Sequence, residues 1–251
     1  MTSLFDRGER SRGEWRFRLL SIPVRVQPWF WLVIAVMCGR EETGAALIWI
    51  AVCFVSILVH EMGHALVFRA FGVQSEAVLY GFGGLTIPRT QVRGTAAEVL
   101  VSLAGPVAGF ALAGLTIAAA SLAGAHTHLQ LYFSVIPSLT AVSKNFGYMG
   151  HVLLNDLLYV NILWGLVNLL PIYPLDGGRV SRALFERRDP RHGRWRSLWL
   201  SAIAGAIVVL LGLLARSLYM VVMFGVLAAS SAQMAEALRG SSARRPSRWP
   251  P

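Results

Sequence analysis

Charge is what this sequence has least of. Only 14% of its 251 residues are Asp, Glu, Lys or Arg, against 55% hydrophobic residues and a mean hydropathy of +0.56. A soluble domain carries about 25% charged residues, so the chain lacks the polar surface to be one. It is also too apolar to be disordered. Acidic side chains are the scarcer sign, 13 against 23 basic, which leaves a net charge of +10. In a soluble protein that surplus points to nucleic acid. In a chain this apolar it reports membrane topology first, and no nucleic-acid partner is expected. Lysine is nearly missing, with Lys144 alone. Cysteine is confined to Cys38 and Cys53, both in apolar runs, which argues against a disulfide framework. A secretory leader is not read either, because the first eighteen residues are polar and Arg-rich with no early apolar core.

Apolar runs are what the chain has instead. A hydrocarbon core about 30 Å thick needs roughly 20 apolar residues of helix. Residues 22–38, 44–70, 96–124, 152–170, 198–215 and 217–238 are candidates. The first is short, is interrupted by Pro23 and Pro28, and carries Trp29 and Trp31 at an edge suited to the interface. The predicted fold class is therefore an all-α polytopic membrane protein of about six transmembrane helices. Between the second and third spans, residues 77–88 are rich in glycine and β-formers and too short to span as a helix. They predict a small membrane-embedded β-hairpin, which protein or a wet cavity must cover. The expected organisation is a basic cytoplasmic segment (1–21), a six-span domain (22–238) and a basic Pro-containing tail (239–251). With the N-terminus in the cytoplasm, 20 of the 23 basic residues fall on that side, and Arg40, Lys144 and Arg216 outside. This asymmetry places both termini in the cytoplasm; a bacterial cytoplasmic membrane is the expected location. His126, His128 and His151 fall in the outer region, where solvated loop histidines are the default. Glu98 begins the third span and suits a helix N-terminus; Asn155 and Asp156 begin the fourth and suit an interface.

The second span contains His60-Glu61-Met62-Gly63-His64. Residues four apart share one helix face, so the two imidazoles can bind one zinc ion while Glu61 acts on water at the metal. Ionisable groups inside a span are costly, and three within five residues point to function. The bland account is a polar cluster that holds helices together. A zinc site needs at least a third protein ligand, and the best candidate is Asp176. It follows Pro171 and Pro174, which break the fourth span, and precedes Gly177-Gly178, which permit a sharp turn or close backbone approach. Taken alone, an Asp-Gly pair is more often a plain turn. Alternation of spans brings the His pair and Asp176 to the same side. Two other functions fit part of this pattern: a cation transporter or channel using the intramembrane His and Glu, and a non-catalytic membrane adaptor. The intervening Glu and the separate Asp-Gly turn fit hydrolysis better, and no key residue is lost as an adaptor would allow.

Together, His60 to His64, the stretch from Asn168 to Asp176-Gly177, and Ser102-Leu103-Ala104-Gly105-Pro106-Val107-Ala108-Gly109 in the third span resemble the site-2 protease family of intramembrane zinc metalloproteases. They occur in the family's order and cover roughly residues 24–182. The resemblance implies one zinc per chain on His60, His64 and Asp176, with Glu61 as catalytic base. It implies that Asn168 contacts substrate or the oxyanion. The hairpin resembles the family's β element, which implies that Gly81, Phe82, Gly83 and Gly84 pair with an unwound substrate strand. The implied partners are the lipid bilayer and a single-span or membrane-anchored protein substrate. No segment is long enough for a PDZ domain and no CBS domain follows the last span, so the chain resembles the family's minimal six-span members.

Overall fold

A computed structural model describes residues 13–39, 42–81, 83–132, 136–142 and 145–243. Among these, five helical segments are long and apolar enough to cross a membrane: Thr43–Ala70 (α2), Thr95–Leu122 (α3), Tyr148–Asn168, Gly193–Leu214 (α7) and Leu218–Arg239, the last within α8 (Leu218–Ala243). Their outward faces remain apolar. Leu115, Ile207, Leu210 and Val222 are each more than half exposed, as lipid-facing side chains should be. The third crossing helix is not uniform. It runs as α4 (Tyr148–Tyr159), a π-helical turn (Val160–Trp164) and α5 (Gly165–Asn168).

The first expected span takes a different form. Ile22–Val26 is a strand (β2), and only Pro28–Cys38 is helical (α1). Pro23 and Pro28 bar a continuous helix from residue 22. Ile22, Val24 and Val26 alternate with half-buried neighbours, the period of a strand with one face on the core. Eleven residues of α1 rise about 16 Å, half of the hydrocarbon thickness.

The expected hairpin is present as Ser75–Tyr80 (β3) and Gly83–Pro88 (β4), paired antiparallel. It is half of a larger sheet. Trp15–Leu19 (β1) pairs antiparallel with β2, and β2 pairs in parallel with β3, in the order β1-β2-β3-β4. The boundary expected at residue 21 thus falls between two strands that pair along their whole length. Because β2 and β3 are parallel, both run back from the end of α2 toward the level of the β3–β4 turn. There Gly81 lies against Trp29 and Val33 of α1, so α1 continues where β2 stops. Strand and helix thus share the stretch that one helix was expected to fill. The backbone of β2 is paired with β1 along its length and with β3 over Val24–Val26.

The main core lies between this sheet, α1 and α2, with Val24, Val26, Phe30, Ala65, Ala77 and Leu79 almost fully buried. On its other side α2 meets α3 closely. A Cβ on Gly63 would strike the Ala104 carbonyl and the Ala108 methyl. Small residues thus let the two backbones approach, the usual means of tight helix packing in lipid. A two-stranded hairpin, His126–Tyr132 (β5) with Ile136–Val142 (β6), joins α3 to α4. The segment Asp176–Arg188 (α6) precedes the α7–α8 pair.

Candidate active site

His60 and His64 lie one turn apart on α2 and are buried, as is Glu61 between them. Asp176 opens α6, 112 positions beyond His64, and is also buried. Its position follows from its two glycines. A Cβ on Gly177 would enter the Leu169 and Leu170 carbonyls, and one on Gly178 would enter the backbone at Ile172 and Tyr173. Only residues without side chains let the first turn of α6 fold back on the chain that ends α5, and this turns the Asp176 carboxylate toward α2.

Three ligand-type atoms converge there. Asp176 Oδ2 lies 3.0 Å from His60 Nε2 and 3.3 Å from His64 Nε2, and the two Nε2 atoms are 3.2 Å apart. Zinc bonds of about 2.0–2.2 Å at tetrahedral angles put ligand atoms about 3.3 Å from one another, so the triangle matches one face of such a site. The protonation pattern agrees. His64 Nδ1 is 2.6 Å from the Val101 carbonyl oxygen, which can only accept, so Nδ1 carries the proton. In the neutral ring Nε2 then presents a lone pair to the carboxylate and to the other imidazole, an arrangement that a shared cation makes favourable.

Space for the cation comes from α3. A Cβ on Gly105 would sit 2.6 Å from His60 Nε2 and would strike His64 Nε2 as well. A methyl group there would enter the gap between the two donors, so glycine keeps that gap open. Two nitrogens and one carboxylate oxygen are the protein donor set of a catalytic zinc site.

Glu61 stands apart from this triangle, although its carboxylate is within 4.8 Å of both imidazoles. Thr86 of β4 holds it: Thr86 Oγ1 lies 2.6 Å from Glu61 Oε2 and 3.0 Å from the Glu61 carbonyl oxygen. The carboxylate is the stronger acceptor and takes the hydroxyl proton. Gly84, two residues earlier, faces the same side chain, and a Cβ there would collide with the Glu61 carboxylate. The sheet therefore bears directly on Glu61.

A family model described as peptidase family M50 matches residues 48–213, about two thirds of the chain and all of this site. The chain belongs to peptidase family M50. It is 26% identical over 217 residues to zinc metalloprotease MJ0392 of Methanocaldococcus jannaschii, an alignment covering 82% of this chain and 55% of that one. It is 36% identical over 165 residues to Rip3 of Mycobacterium tuberculosis, covering 65% of this chain and 36% of that one. The chain thus spans about half or less of these relatives' length. The solved site-2 protease from Methanocaldococcus jannaschii shares its fold, with a TM-score of 0.58 at 20% identity, over 88% of this chain and 94% of that one.

The expected M50 residues are not all gathered together. His60, Glu61, His64 and Asp176 are. Of the hairpin residues, Gly84 touches Glu61, Gly83 faces Trp164, and Gly81 packs on α1. Phe82 lies outside the described residues. Asn168 is buried, but its Nδ2 donates to the Trp164 carbonyl one turn back. His126 is exposed, and His151 Nδ1 donates to the Gly147 carbonyl at the start of α4. Asp156, expected at an interface, is buried. Thr86, Gly105 and the Val101 carbonyl were not foreseen. A threonine in a strand and a backbone carbonyl carry no signal in sequence, whereas Gly105 lay within the Gly-Pro stretch already noted. Asn161 was also missed, although a polar residue inside a span is a signal in itself.

Proposed function

We propose that this M50 chain is an intramembrane zinc metalloprotease that hydrolyses peptide bonds within or near the transmembrane segments of membrane-anchored proteins. The observation that carries this reading is the buried triangle of His60, His64 and Asp176 with Glu61 beside it. In this reading His60, His64 and Asp176 hold one zinc ion. Bound there, zinc supplies a Lewis acid that polarises a carbonyl and acidifies water.

The chain's own residues supply the rest. Glu61 takes the proton of the attacking water and returns it to the leaving amine. Thr86 and Gly84 hold the Glu61 carboxylate in place and leave it room. Val101 fixes the His64 tautomer that leaves Nε2 free to coordinate. Substrate enters as an extended strand, because a helical segment hides its carbonyls in its own hydrogen bonds. The outer edge of β4 is unpaired among the described strands and carries Gly84 and Thr86, so a strand added there would run past Glu61. Asn168 contributes from the end of α5 toward the substrate carbonyl. Both termini lie in the cytoplasm, a reading that rests on the arginine asymmetry, and the membrane is a bacterial cytoplasmic one by likeness to the family's minimal six-span members.

The deciding experiment measures zinc in purified protein and cleavage of a single-span reporter, for the parent chain and for Glu61→Gln. The expected result is one zinc per chain in both, with cleavage lost only in the variant. Unchanged cleavage by Glu61→Gln would refute the assignment of the base. Full zinc occupancy in His64→Ala would refute the ligand assignment.

A further inference from the structure

The two metal-site histidines are secured differently. His64 gives its Nδ1 proton to the Val101 carbonyl. His60 joins the cluster through Nε2, and among the described residues its Nδ1 forms no hydrogen bond. A metal-bound imidazole almost always donates its other N–H to an oxygen. The ring borders a small cavity of about 10 Å³, lined also by Ser56, Gly109, Asn161 and Trp164. That volume fits one water, provided at least two polar partners surround it.

Two polar residues, Ser56 and Asn161, line the cavity beside His60. Ser56 lies one turn before His60 on the same helix, and Asn161 comes from the π-helical turn; both are buried. Asn161 Nδ2 spends its two protons on Ser56 Oγ at 2.9 Å and on the Leu157 carbonyl at 2.8 Å. This leaves Oδ1 as a pure acceptor, and it faces Gly109, where a Cβ would approach to 3.7 Å. A buried Asn in a crossing helix is costly unless it has a task. Single π-helical turns are frequently found at functional sites.

We infer that Asn161 is a positioning residue for His60, acting through one buried water that accepts from His60 Nδ1 and donates to Asn161 Oδ1. Ser56 holds the amide in the orientation that presents its oxygen. The inference rests on the proposed metal site. It gives His60 the oriented tautomer that Val101 gives His64, so both imidazoles offer Nε2.

The test is zinc affinity of the full-length protein in detergent, measured by competition with a chelating indicator, for the parent chain, Asn161→Leu, Asn161→Asp and Ser56→Ala. Asn161→Leu removes the acceptor and is expected to weaken zinc binding by roughly 10-fold or more, the usual effect of losing such a partner. Asn161→Asp keeps an acceptor oxygen and should restore most of the affinity. Ser56→Ala should fall between. The visible bands of the cobalt-substituted protein should shift in Asn161→Leu and return in Asn161→Asp. If Asn161→Leu does not fold, Asn161→Ser removes the same oxygen with less bulk and takes its place. Zinc affinity within twofold of the parent in the Leu or Ser variant would overturn the inference. So would equal loss in Asn161→Asp, which would mark Asn161 as a structural link between α2 and α4. A parent chain that binds no zinc would instead sink the metal site itself, so the two failures are distinguishable.

Discussion

Replacement of Gly105 by alanine is the sharpest test of the metal site, because the change is one methyl group and lies on a helix that supplies no ligand. The added Cβ would stand 2.6 Å from His60 Nε2 and from His64 Cε1, and closer still to His64 Nε2. Carbon in ordinary contact needs about 3.5 Å, so each ring must retreat by about 1 Å or α3 must move. Zinc sites tolerate about 0.2 Å in their bond lengths. Loss of an outer partner alone weakens binding 10–100-fold, so direct displacement of two ligands should cost at least about 100-fold, or roughly 2.8 kcal/mol. Overpacking costs about 1–3 kcal/mol, so the fold should survive. The assay is zinc content after dialysis against a graded series of chelator, with circular dichroism and thermal melting of the same samples as the control for folding. A Gly105→Ala variant that stays folded and keeps parental zinc affinity would refute the claim that the metal lies between the two Nε2 atoms beside α3.

Three further predictions concern the surroundings. Thr86→Val should keep zinc and lower the cleavage rate about 10- to 150-fold, since a hydrogen bond to a charged group is worth about 1.5–3 kcal/mol, while Thr86→Ser restores the rate in the same reporter assay. Gly84→Ala should also keep zinc but lose nearly all cleavage, because the Glu61 carboxylate must leave its place; parallel loss of metal would show that the glycine serves the ligands instead. Ser201→Ala should lower the unfolding free energy in detergent by about 1–3 kcal/mol, because the Tyr173 N–H donates to Ser201 Oγ at 3.1 Å and would be left without that partner, and the shift in unfolding midpoint checks it.

The legible parts of this protein were those with local periodicity. Crossing helices need long apolar runs, and α2, α3, the α4–α5 segment, α7 and α8 stand where such runs occur. The His pair was legible because four residues make about one helical turn. The first expected span was misjudged as one helix because a short apolar stretch suits a helix or a buried strand equally. Pro23 and the alternation of Ile22, Val24 and Val26 were the available signals for the strand. The parallel pairing of β2 with β3 had none, because it joins residues about fifty positions apart. Asn168 and Asn161 show the same limit. Both are polar residues in one span, and only the packed structure puts the unforeseen one on one cavity with His60 and ties one amide proton of the expected one to its own helix.

By itself the sequence determined that the chain is a membrane protein, that one helix carries His60, Glu61 and His64 on neighbouring positions, and that a Gly-rich break could return Asp176 toward them. Each follows from composition or from spacings shorter than about ten residues. The tertiary structure decided that Asp176 Oδ2 meets both Nε2 atoms, that Thr86 holds Glu61, that Gly105 keeps the space between the two imidazoles, and that Val101 sets the tautomer of His64. These depend on atoms brought within about 3 Å from segments 25 to 116 positions apart. No local periodicity encodes such contacts, and close packing of helices and sheet fixes them together.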